Sequence, residues 1–535
     1  MIKNFYNFLL LKKNFFLFAL ITYSIVCAVL IGNSWDLEHH LLLGKSTFNY
    51  LFSFGLLNEN ITYREYYSSL YWTIVYFFSQ FFPKNFEYEI FRLVNLFVGW
   101  LALFGFYKFG KILFNKDVGI IFFITLFFYP IFFGHMAINP KDTILAFCHI
   151  WIFYFVILYL KKQNNNFNSI KIISKVSFLL ALGMGIQLYF LASLFFIFVF
   201  IFLEIFFFHK IINKNFSLAK FIKDFFYILF IFYFILILFW IDTHGNIIIK
   251  PFELFLESFS TSRGWPVNLI NGELFYSSNA PKNYLLVSFI NKSPEYIIIL
   301  YVFFILFYLK IKNFSQDKFD NFNYKISYIL LTLAFPTIIM FINPFPVYDG
   351  LRLFMWAIPY SMIIPSIVIY YFINNLNKYY NKLFFSLISA FFLYYIFIFL
   401  SYTPFQYTYL NLLSGQAANK NNLFVNDYWG TTLKALVIKI KKNETLQKKE
   451  TIKLYLCGVP SKIVKRELIK NSVNNIQIWY DGSTADYIML TNRLIISKNN
   501  NGKNEIIKCL DLVNEELVSI KRLGHTLSIF GKKIN

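Results

Sequence analysis

The chain is dominated by long apolar runs that carry no charge. Two of them, FFLFALITYSIVCAVLI at 15–31 and FFYILFIFYFILILFWI at 225–241, contain no Asp, Glu, Lys or Arg. With their flanks, such runs supply the roughly 20 residues that a bilayer-spanning helix needs. Lipid offers backbone groups no hydrogen-bond partner, so the runs must be helical. The sequence therefore predicts a polytopic α-helical membrane protein.

Composition agrees with this prediction. Of the 535 residues, 58% are hydrophobic and 15% are charged, whereas soluble chains average about 25% charged residues. Eleven segments are predicted to span the membrane: 14–32, 90–110, 118–134, 143–160, 173–189, 190–208, 225–241, 295–310, 326–342, 353–373 and 383–401. The stretch 173–208 is interpreted as a tight helical hairpin that turns near Gln187 and Tyr189. The alternative is one bent helix.

Lysine residues between the apolar runs set the orientation. With eleven spans, the segment before the first span and those after every second span share one side, and these segments are rich in lysine. The positive-inside rule makes that side cytoplasmic, so the N-terminus is inside and the C-terminus outside. A single bent helix at 173–208 would turn Lys210 and Lys310 outward, against the rule. The net charge of +22 is dispersed through these clusters and does not indicate a nucleic-acid partner.

Four segments are predicted to reach the outer side. They are two long loops at 33–89 and 242–294 and two short ones at 135–142 and 343–352. Within the first loop, YYSSLYWTIVYFFSQFFP at 66–83 predicts a helix lying in the membrane interface, with an extra span as the alternative.

The last 134 residues differ in character from the membrane module at 1–401, because apolar runs shorten from 402 onward. TIKLYLCGV, IQIWY and DYIMLTN are typical of buried strands, whereas YWGTTLKALVIKIKK and SKIVKRELIKN are typical of helices. We therefore expect a small extracytoplasmic α/β domain at 402–535. Cys457 and Cys509 would be able to pair in that compartment, but the sequence does not decide whether they do.

A polar cluster, WDLEHH at 35–40, follows the first span directly. Acidic residues at the membrane boundary are costly unless they are paired or used. Asp36 is therefore a candidate general base or metal-coordinating carboxylate. The alternative is the solvated start of a loop.

Two short outer loops carry further charged residues. In INPKD, Asp142 can cap the next helix, but capping does not explain Lys141, which at a helix N-terminus favours a phosphate. In VYDGLR, Arg352 is either an interfacial side chain or part of the same site. The long loop at 242–294 contains Arg263 but no specific motif. No H-E-x-x-H, Walker or G-x-G-x-x-G motif is present.

In order and spacing, these motifs resemble those of the GT-C superfamily of membrane glycosyltransferases, in particular the protein O-mannosyltransferase and lipid A aminoarabinose transferase group. WDLEHH is similar to the first-loop acidic signature of that group, and INPKD to its second-loop Lys-Asp element. Weaker similarities lie in the following segments: YDGLRLFMWAIP, PKNYLLVSFINKSPEYI, FQYTYLN and DYWGTTLKAL. The first motif has Asp-Leu-Glu in place of adjacent acids, which leaves open which acid is catalytic.

The resemblance implies inverting transfer of a sugar from a polyprenyl-phosphate donor to an acceptor hydroxyl, on the periplasmic face of a bacterial inner membrane. It implies three catalytic carboxylates, with Asp36 as the base: Asp36, Glu38 and Asp142. Three cations would bind the donor phosphate: Lys141, Arg352 and Arg263. A divalent cation, Mg²⁺ or Mn²⁺, is admitted as a cofactor, with these ligands: Asp36, Asp142 and His39, with Glu38 as a further carboxylate. The acceptor is a lipid, a glycan or a protein.

Three other functions are alternatives to sugar transfer, and one of them, a structural or receptor role for the outer domain, would leave the three polar loops unexplained. A transporter or flippase would place charged residues within its spans, but the charges here cluster at one boundary. Another lipid-linked envelope transferase would not explain the early acid followed by a Lys-Asp loop. The sequence identifies neither the sugar nor the acceptor.

Overall fold

The computed structural model describes residues 13–260, 264–375, 379–417, 419–498 and 504–534. The first eleven α-helices are α1 Lys13–Leu30, α2 Leu37–Phe52, α3 Leu70–Ser79, α4 Glu87–Leu113, α5 Lys116–Phe127, α6 Pro130–His135, α7 Asp142–Lys162, α8 Ile170–Ile186, α9 Phe190–Ser193, α10 Phe195–Leu203 and α11 Leu218–Leu238. Seven more precede residue 402: α12 Lys250–Ser260, α13 Tyr284–Lys292, α14 Glu295–Leu306, α15 Tyr308–Lys318, α16 Phe322–Ile342, α17 Ile363–Asn374 and α18 Tyr379–Ser401.

Every predicted span falls on a helical segment, but several are broken into pieces. Within the described residues, five helices are each long and apolar enough to cross a bilayer, and α13 with α14, bent by 112°, would make a sixth. The run 118–134 is divided because Pro130 lacks an N–H and starts a new helix at its first position. Length and composition therefore establish fewer spans than eleven, and the number eleven stays a prediction.

The predicted turn near Gln187 and Tyr189 coincides with a break in the helices. α8 ends at Ile186, and Gln187 adopts an extended conformation with φ −155° and ψ 113°. The next helix begins at Phe190, whose ring lies where a side chain on Gly183 would be. A glycine at that position lets the aromatic ring pack directly on the α8 backbone.

The first outer loop is largely helical. The predicted interfacial helix at 66–83 contains α3, in which Trp72 and Val75 are fully buried. α3 packs on α2 at Gly44, where an added Cβ would lie 2.2 Å from the Trp72 carbonyl oxygen. The prediction of a helix is confirmed, and its buried side is covered by protein.

The C-terminal residues form a five-stranded sheet with strand order β4-β3-β5-β9-β8. Strands β3 to β5 are parallel, whereas β9 pairs antiparallel with both β5 and β8. The strand bounds are β1 Val267–Ile270, β2 Glu273–Tyr276, β3 Ile452–Cys457, β4 Ile476–Trp479, β5 Tyr487–Thr491, β6 Leu494–Lys498, β7 Asn504–Lys508, β8 Val513–Arg522 and β9 His525–Lys533. The remaining helices are α19 Lys420–Leu423, α20 Leu433–Lys441, α21 Glu444–Gln447 and α22 Ser461–Lys470.

The three strands and two helices expected in this region are present as β3, β4, β5, α20 and α22. Three antiparallel strand pairs were not predicted: β1–β2, β6–β7 and β8–β9. β1–β2 turns on Asn271-Gly272, both with positive φ, which is a hairpin signal available in the sequence. β8 is largely exposed and rich in charged residues, so it lacks the apolar pattern of a buried strand.

Cys457, the last residue of β3, forms a disulfide with Cys509. Both residues are fully buried, and the bond links β3 to the segment that leads into β8. The two cysteines are therefore paired, which the sequence alone did not decide. Cys27 and Cys148 are free and buried.

We predict that full-length protein isolated without reductant has two reactive thiols after denaturation and four after denaturation and reduction, counted by maleimide mass tagging. The variant Cys457→Ser should lower the free energy of unfolding by roughly 2–4 kcal/mol, because the unfolded chain gains entropy. Cys148→Ser is the control, since it removes a free thiol and leaves the disulfide in place. Four reactive thiols before reduction would contradict the prediction.

Candidate functional site

The start of the first outer loop is fixed by hydrogen bonds to backbone carbonyl groups of two distant segments. Trp35 N–H donates to the Trp429 carbonyl oxygen over 3.1 Å. The Ser34 hydroxyl donates to the Ile138 carbonyl oxygen over 2.8 Å. Both bonds hold the chain just before Asp36, so that residue lies against the INPKD loop and the segment after the last long helix.

In the second loop, Asn139 makes the helix-capping contacts expected of Asp142. Its Oδ1 accepts hydrogen bonds from the N–H groups of Lys141 and Asp142, at 3.1 and 2.9 Å. Its Nδ2 donates to Asp142 Oδ2 over 2.9 Å. Asp142 Oδ2 also lies 3.9 Å from Arg352 Nε, and Oδ1 has no hydrogen-bond partner. The Asp142 carboxylate therefore belongs to the site rather than to the cap.

The third loop bends sharply at Asp349 and Gly350, which both have positive φ. Asp349 Oδ2 lies 3.5 Å from Arg352 Nη1, and its Oδ1 lies 3.5 Å from Arg493 Nη2. The Gly350 N–H donates to the Tyr284 hydroxyl over 2.7 Å, which fixes the turn. One carboxylate thus pairs with a guanidinium from its own loop and with another from the C-terminal sheet.

Four cations surround this point, and we refer to them as the cation cluster. Each lies near the face of an aromatic ring: Lys141 is 6.0 Å from the Tyr67 centroid, Lys292 is 5.5 Å from that of Tyr428, Arg352 is 4.8 Å from that of Trp429, and Arg493 is 3.8 Å from that of Trp265. Cations over ring faces are stabilised by the ring quadrupole, more so when desolvated. Opposite them are three carboxylates: Asp36, Asp142 and Asp349. Four charges against three leave the site net positive.

Asp36 is half-buried on the edge of this cluster. Burial by itself raises the pKa of Asp36, but Arg352 and the other nearby cations outweigh it and hold the pKa below its usual range. Burial lowers the pKa of neighbouring His40 to about 3, so that imidazole is neutral. The His40 ring stacks on Trp72 at 4.4 Å, and its Nδ1 has no hydrogen-bond partner.

The structure brings together four of the residues singled out from the sequence: Asp36, Lys141, Asp142 and Arg352. Glu38 lies apart, because its Oε1 is 3.5 Å from Lys462 Nζ on α22. His39 lines a cleft beside the same helix. Arg263 lies outside the described residues.

The expected metal ligands do not form a metal site. In the described part of the chain, no three His, Cys, Asp or Glu side chains are arranged to hold an ion. Asp142 is already bonded to Asn139 and close to Arg352, and Asp36 is surrounded by cations. This donor set does not fit a tightly bound divalent cation.

Four residues that complete the site carry no sequence signal that predicted a role for them: Lys292, Asp349, Trp429 and Arg493. Lys292 is the most informative, because its Nζ is buried without a hydrogen-bond partner. Its position just before a Pro-initiated helix gave no signal of function. Arg493 follows the parallel strand β5, and side chains after such strands often face ligand sites.

Comparisons with known proteins show similarity in structure alone. No protein-family model matches the chain, and no curated protein matches it. The apo structure of ArnT from Cupriavidus metallidurans matches with a TM-score of 0.50 and 9% identity, covering 97% of this chain and 98% of ArnT. The same protein bound to undecaprenyl phosphate gives a TM-score of 0.49 with 9% identity and 97% coverage of each chain. The oligosaccharyltransferase AglB from Archaeoglobus fulgidus gives 0.40 with 10% identity, covering 96% of this chain and 76% of AglB.

The ArnT match extends over nearly the whole of both chains, so it includes the membrane helices and the C-terminal sheet together. At 9% identity it establishes the fold and leaves the chemistry to the residues of this chain. The resemblance indicated by the loop motifs is therefore confirmed at the level of architecture: this chain has the GT-C fold of ArnT.

Proposed function

We propose that this chain is an inverting glycosyltransferase that moves a sugar from a polyprenyl-phosphate donor to an acceptor hydroxyl at the periplasmic face of a bacterial inner membrane. One observation carries the proposal. Asp36, Lys141, Asp142 and Arg352, from three separate outer loops, converge at the net-positive cation cluster. ArnT, whose fold the chain shares, has been solved bound to undecaprenyl phosphate, and the proposed donor is of that class.

The cation cluster is suited to a phosphate. Buried Lys292 Nζ and Arg352 Nε both have N–H groups without hydrogen-bond partners in the described structure. Leaving such groups unpaired is costly, and a phosphate oxygen would satisfy them with charge-assisted bonds. The carboxylates of Asp142 and Asp349 hold the Arg352 guanidinium from two sides, so it is positioned before the donor binds.

A polyprenyl chain requires a path between the cation cluster and the lipid. Lys141 interacts electrostatically with Tyr67, Tyr189 and Tyr348. Tyr189 lies at the break between α8 and α9 and is 45% exposed. We place the lipid at this break, with its phosphate reaching inward past Lys141 to Arg352.

The proposed reaction is a single displacement. The acceptor oxygen attacks the anomeric carbon as the bond from that carbon to the phosphate oxygen breaks. The phosphate leaves with the electron pair, and its growing charge is stabilised by Lys141, Arg352 and Lys292. The hydroxyl proton passes to Asp36. Attack from the face opposite the phosphate inverts the anomeric carbon.

Donor binding also changes the pKa of the proposed base, Asp36. In the free protein, Arg352 is the main cation that holds the pKa of Asp36 low. A phosphate bound to Arg352 and Lys141 offsets their positive charge, so the pKa of Asp36 rises. Asp36 thus becomes a stronger base when a sugar is present to be transferred.

The proposal also includes the orientation of the chain in the membrane. Eleven spans place the N-terminus in the cytoplasm and residues 402–535 in the periplasm as a separate domain, and the Cys457–Cys509 disulfide supports that location because such bonds persist in oxidising compartments. No step of the proposed reaction passes through a divalent cation.

For Asp36→Asn, we expect turnover to fall by roughly 10²–10⁴-fold because the proton acceptor is lost. The assay uses membranes and a radiolabelled undecaprenyl-phosphate sugar, and follows transfer into envelope material. The control is Glu253→Gln, which removes an exposed carboxylate that pairs with the exposed Lys250. Equal turnover in the Asp36 variant and wild type would remove Asp36 from the role of base.

For Lys292→Met, we expect affinity for undecaprenyl phosphate to fall by roughly tenfold to a hundredfold, as for the loss of a charged hydrogen bond of about 1.5–3 kcal/mol. Binding is measured by microscale thermophoresis in detergent. Lys282→Met is the matched control, because Lys282 is exposed on the same outer segment. An unchanged dissociation constant for Lys292→Met would exclude this ammonium from the phosphate site.

Reporter fusions test the orientation. Alkaline phosphatase joined after Asn535 should be active, whereas the same enzyme joined after Lys162 should be inactive, because only the first fusion reaches the oxidising side. Green fluorescent protein at the same two positions should give the opposite pattern. Fluorescence from the C-terminal fusion would contradict the eleven-span arrangement.

A further inference from the structure

A cleft of about 590 Å³ opens between the first outer loop and the C-terminal sheet. One wall is formed by Trp35, Glu38 and His39, at the start of α2. The facing wall is formed by residues of β3, β4 and the first turn of α22. None of the four cations of the cation cluster lines this cleft, so the cleft is a second feature of the outer surface.

The cleft lies at a position in the sheet where ligands commonly bind. β3 runs parallel to both β4 and β5, and the chain leaves β3 through α22 to reach β4 on one side before it returns to β5 on the other. In open α/β sheets, the crevice at the carboxyl ends of strands, where the strand order reverses, is the usual ligand site. Trp479, the last residue of β4, lines the cleft together with Val459 and Pro460, which come just after β3.

The chemistry of the walls matches a sugar ring. Trp35, Tyr455 and Trp479 present aromatic rings, and Tyr480 at the rim is 72% exposed. Aromatic faces pack against the C–H groups of a pyranose ring, while its hydroxyls require nearby hydrogen-bonding groups. Hydrogen-bonding groups in the same cleft are supplied by four side chains: Glu38, His39, Ser461 and Lys462. Mostly apolar walls with a few polar groups are typical of small-molecule sites.

The position of the cleft relative to Asp36 indicates its role. Trp35 and His39 flank Asp36 in the chain, and both line the cleft. The Trp35 ring also lies 5.1 Å from the Arg493 guanidinium, which pairs with Asp349 in the cation cluster. A molecule held in the cleft can therefore direct a hydroxyl at Asp36 while the donor phosphate occupies the other side.

We infer that this cleft is the acceptor subsite and that the acceptor is a saccharide. The inference rests on the proposed function and deepens it by selecting one of three acceptor classes. Glu38 and Lys462 face each other across the cleft at 3.5 Å, with the Lys462 side chain 74% exposed. Such an exposed pair contributes little by itself, so sugar hydroxyls can replace it when the acceptor binds.

The test measures acceptor binding separately from transfer. Purified full-length protein in detergent is mixed with a panel of disaccharides (chitobiose, cellobiose, lactose and maltose) and with a serine-containing hexapeptide, and saturation-transfer NMR is recorded for each. We expect at least one disaccharide to bind, and its signal to fall at least fivefold in Trp479→Ala and in Tyr480→Ala. Ile469→Ala is the control, because Ile469 is exposed on α22 but does not line the cleft.

Undecaprenyl phosphate binding is measured on the same samples. Wild-type protein that binds this lipid but no disaccharide, or that binds the peptide alone, would overturn the inference and leave the donor site standing. Equal disaccharide signals in wild type, Trp479→Ala and Tyr480→Ala would also overturn it. Disaccharide binding that depends on Trp479 in a protein that binds no undecaprenyl phosphate would support the cleft and refute the donor proposal.

Discussion

The carboxylate of Asp349 joins the two parts of the candidate site. One of its oxygens faces Arg352 in the same loop, and the other faces Arg493 after the last parallel strand. All three side chains are buried. Removing one member of such a group leaves buried charge without a counter-charge, which is far more destabilising than losing a surface pair. The relative position of the late loop and the C-terminal sheet therefore depends on this carboxylate.

Half of the residues that converge in the cluster could be singled out from the sequence because they interrupt apolar runs. Polar side chains at the membrane boundary need an explanation, and this requirement singled out Asp36, Lys141, Asp142 and Arg352. Lys292 and Arg493 could not be found in this way. Lys292 becomes significant only because tertiary packing leaves its ammonium unpartnered, and Arg493 only because it packs on Trp265 and pairs with Asp349.

In the fold, too, elements with a clear local sequence pattern were predicted, whereas elements defined by tertiary contacts were not. Long apolar runs predicted where helices occur, and short apolar stretches predicted β3 to β5. Helix breaks were less accessible, although Pro130 marks one of them. The β8–β9 hairpin was not predicted. β8 lies at an edge of the sheet with polar residues outward, so its pairing with β9 identifies it as a strand and its own residue pattern does not.

The Cys457–Cys509 disulfide has a consequence for the order of assembly. Gly458, next to Cys457, packs directly on Arg493, so the bond lies at the base of the side chain that reaches Asp349. The membrane helices are synthesised first, whereas Arg493 arrives with the final part of the chain. The cluster around Asp349 is therefore incomplete until the last part of the chain has been made and has folded onto the helices. A chain that ends before β5 would lack Arg493 and so leave one oxygen of the buried Asp349 carboxylate without its cation.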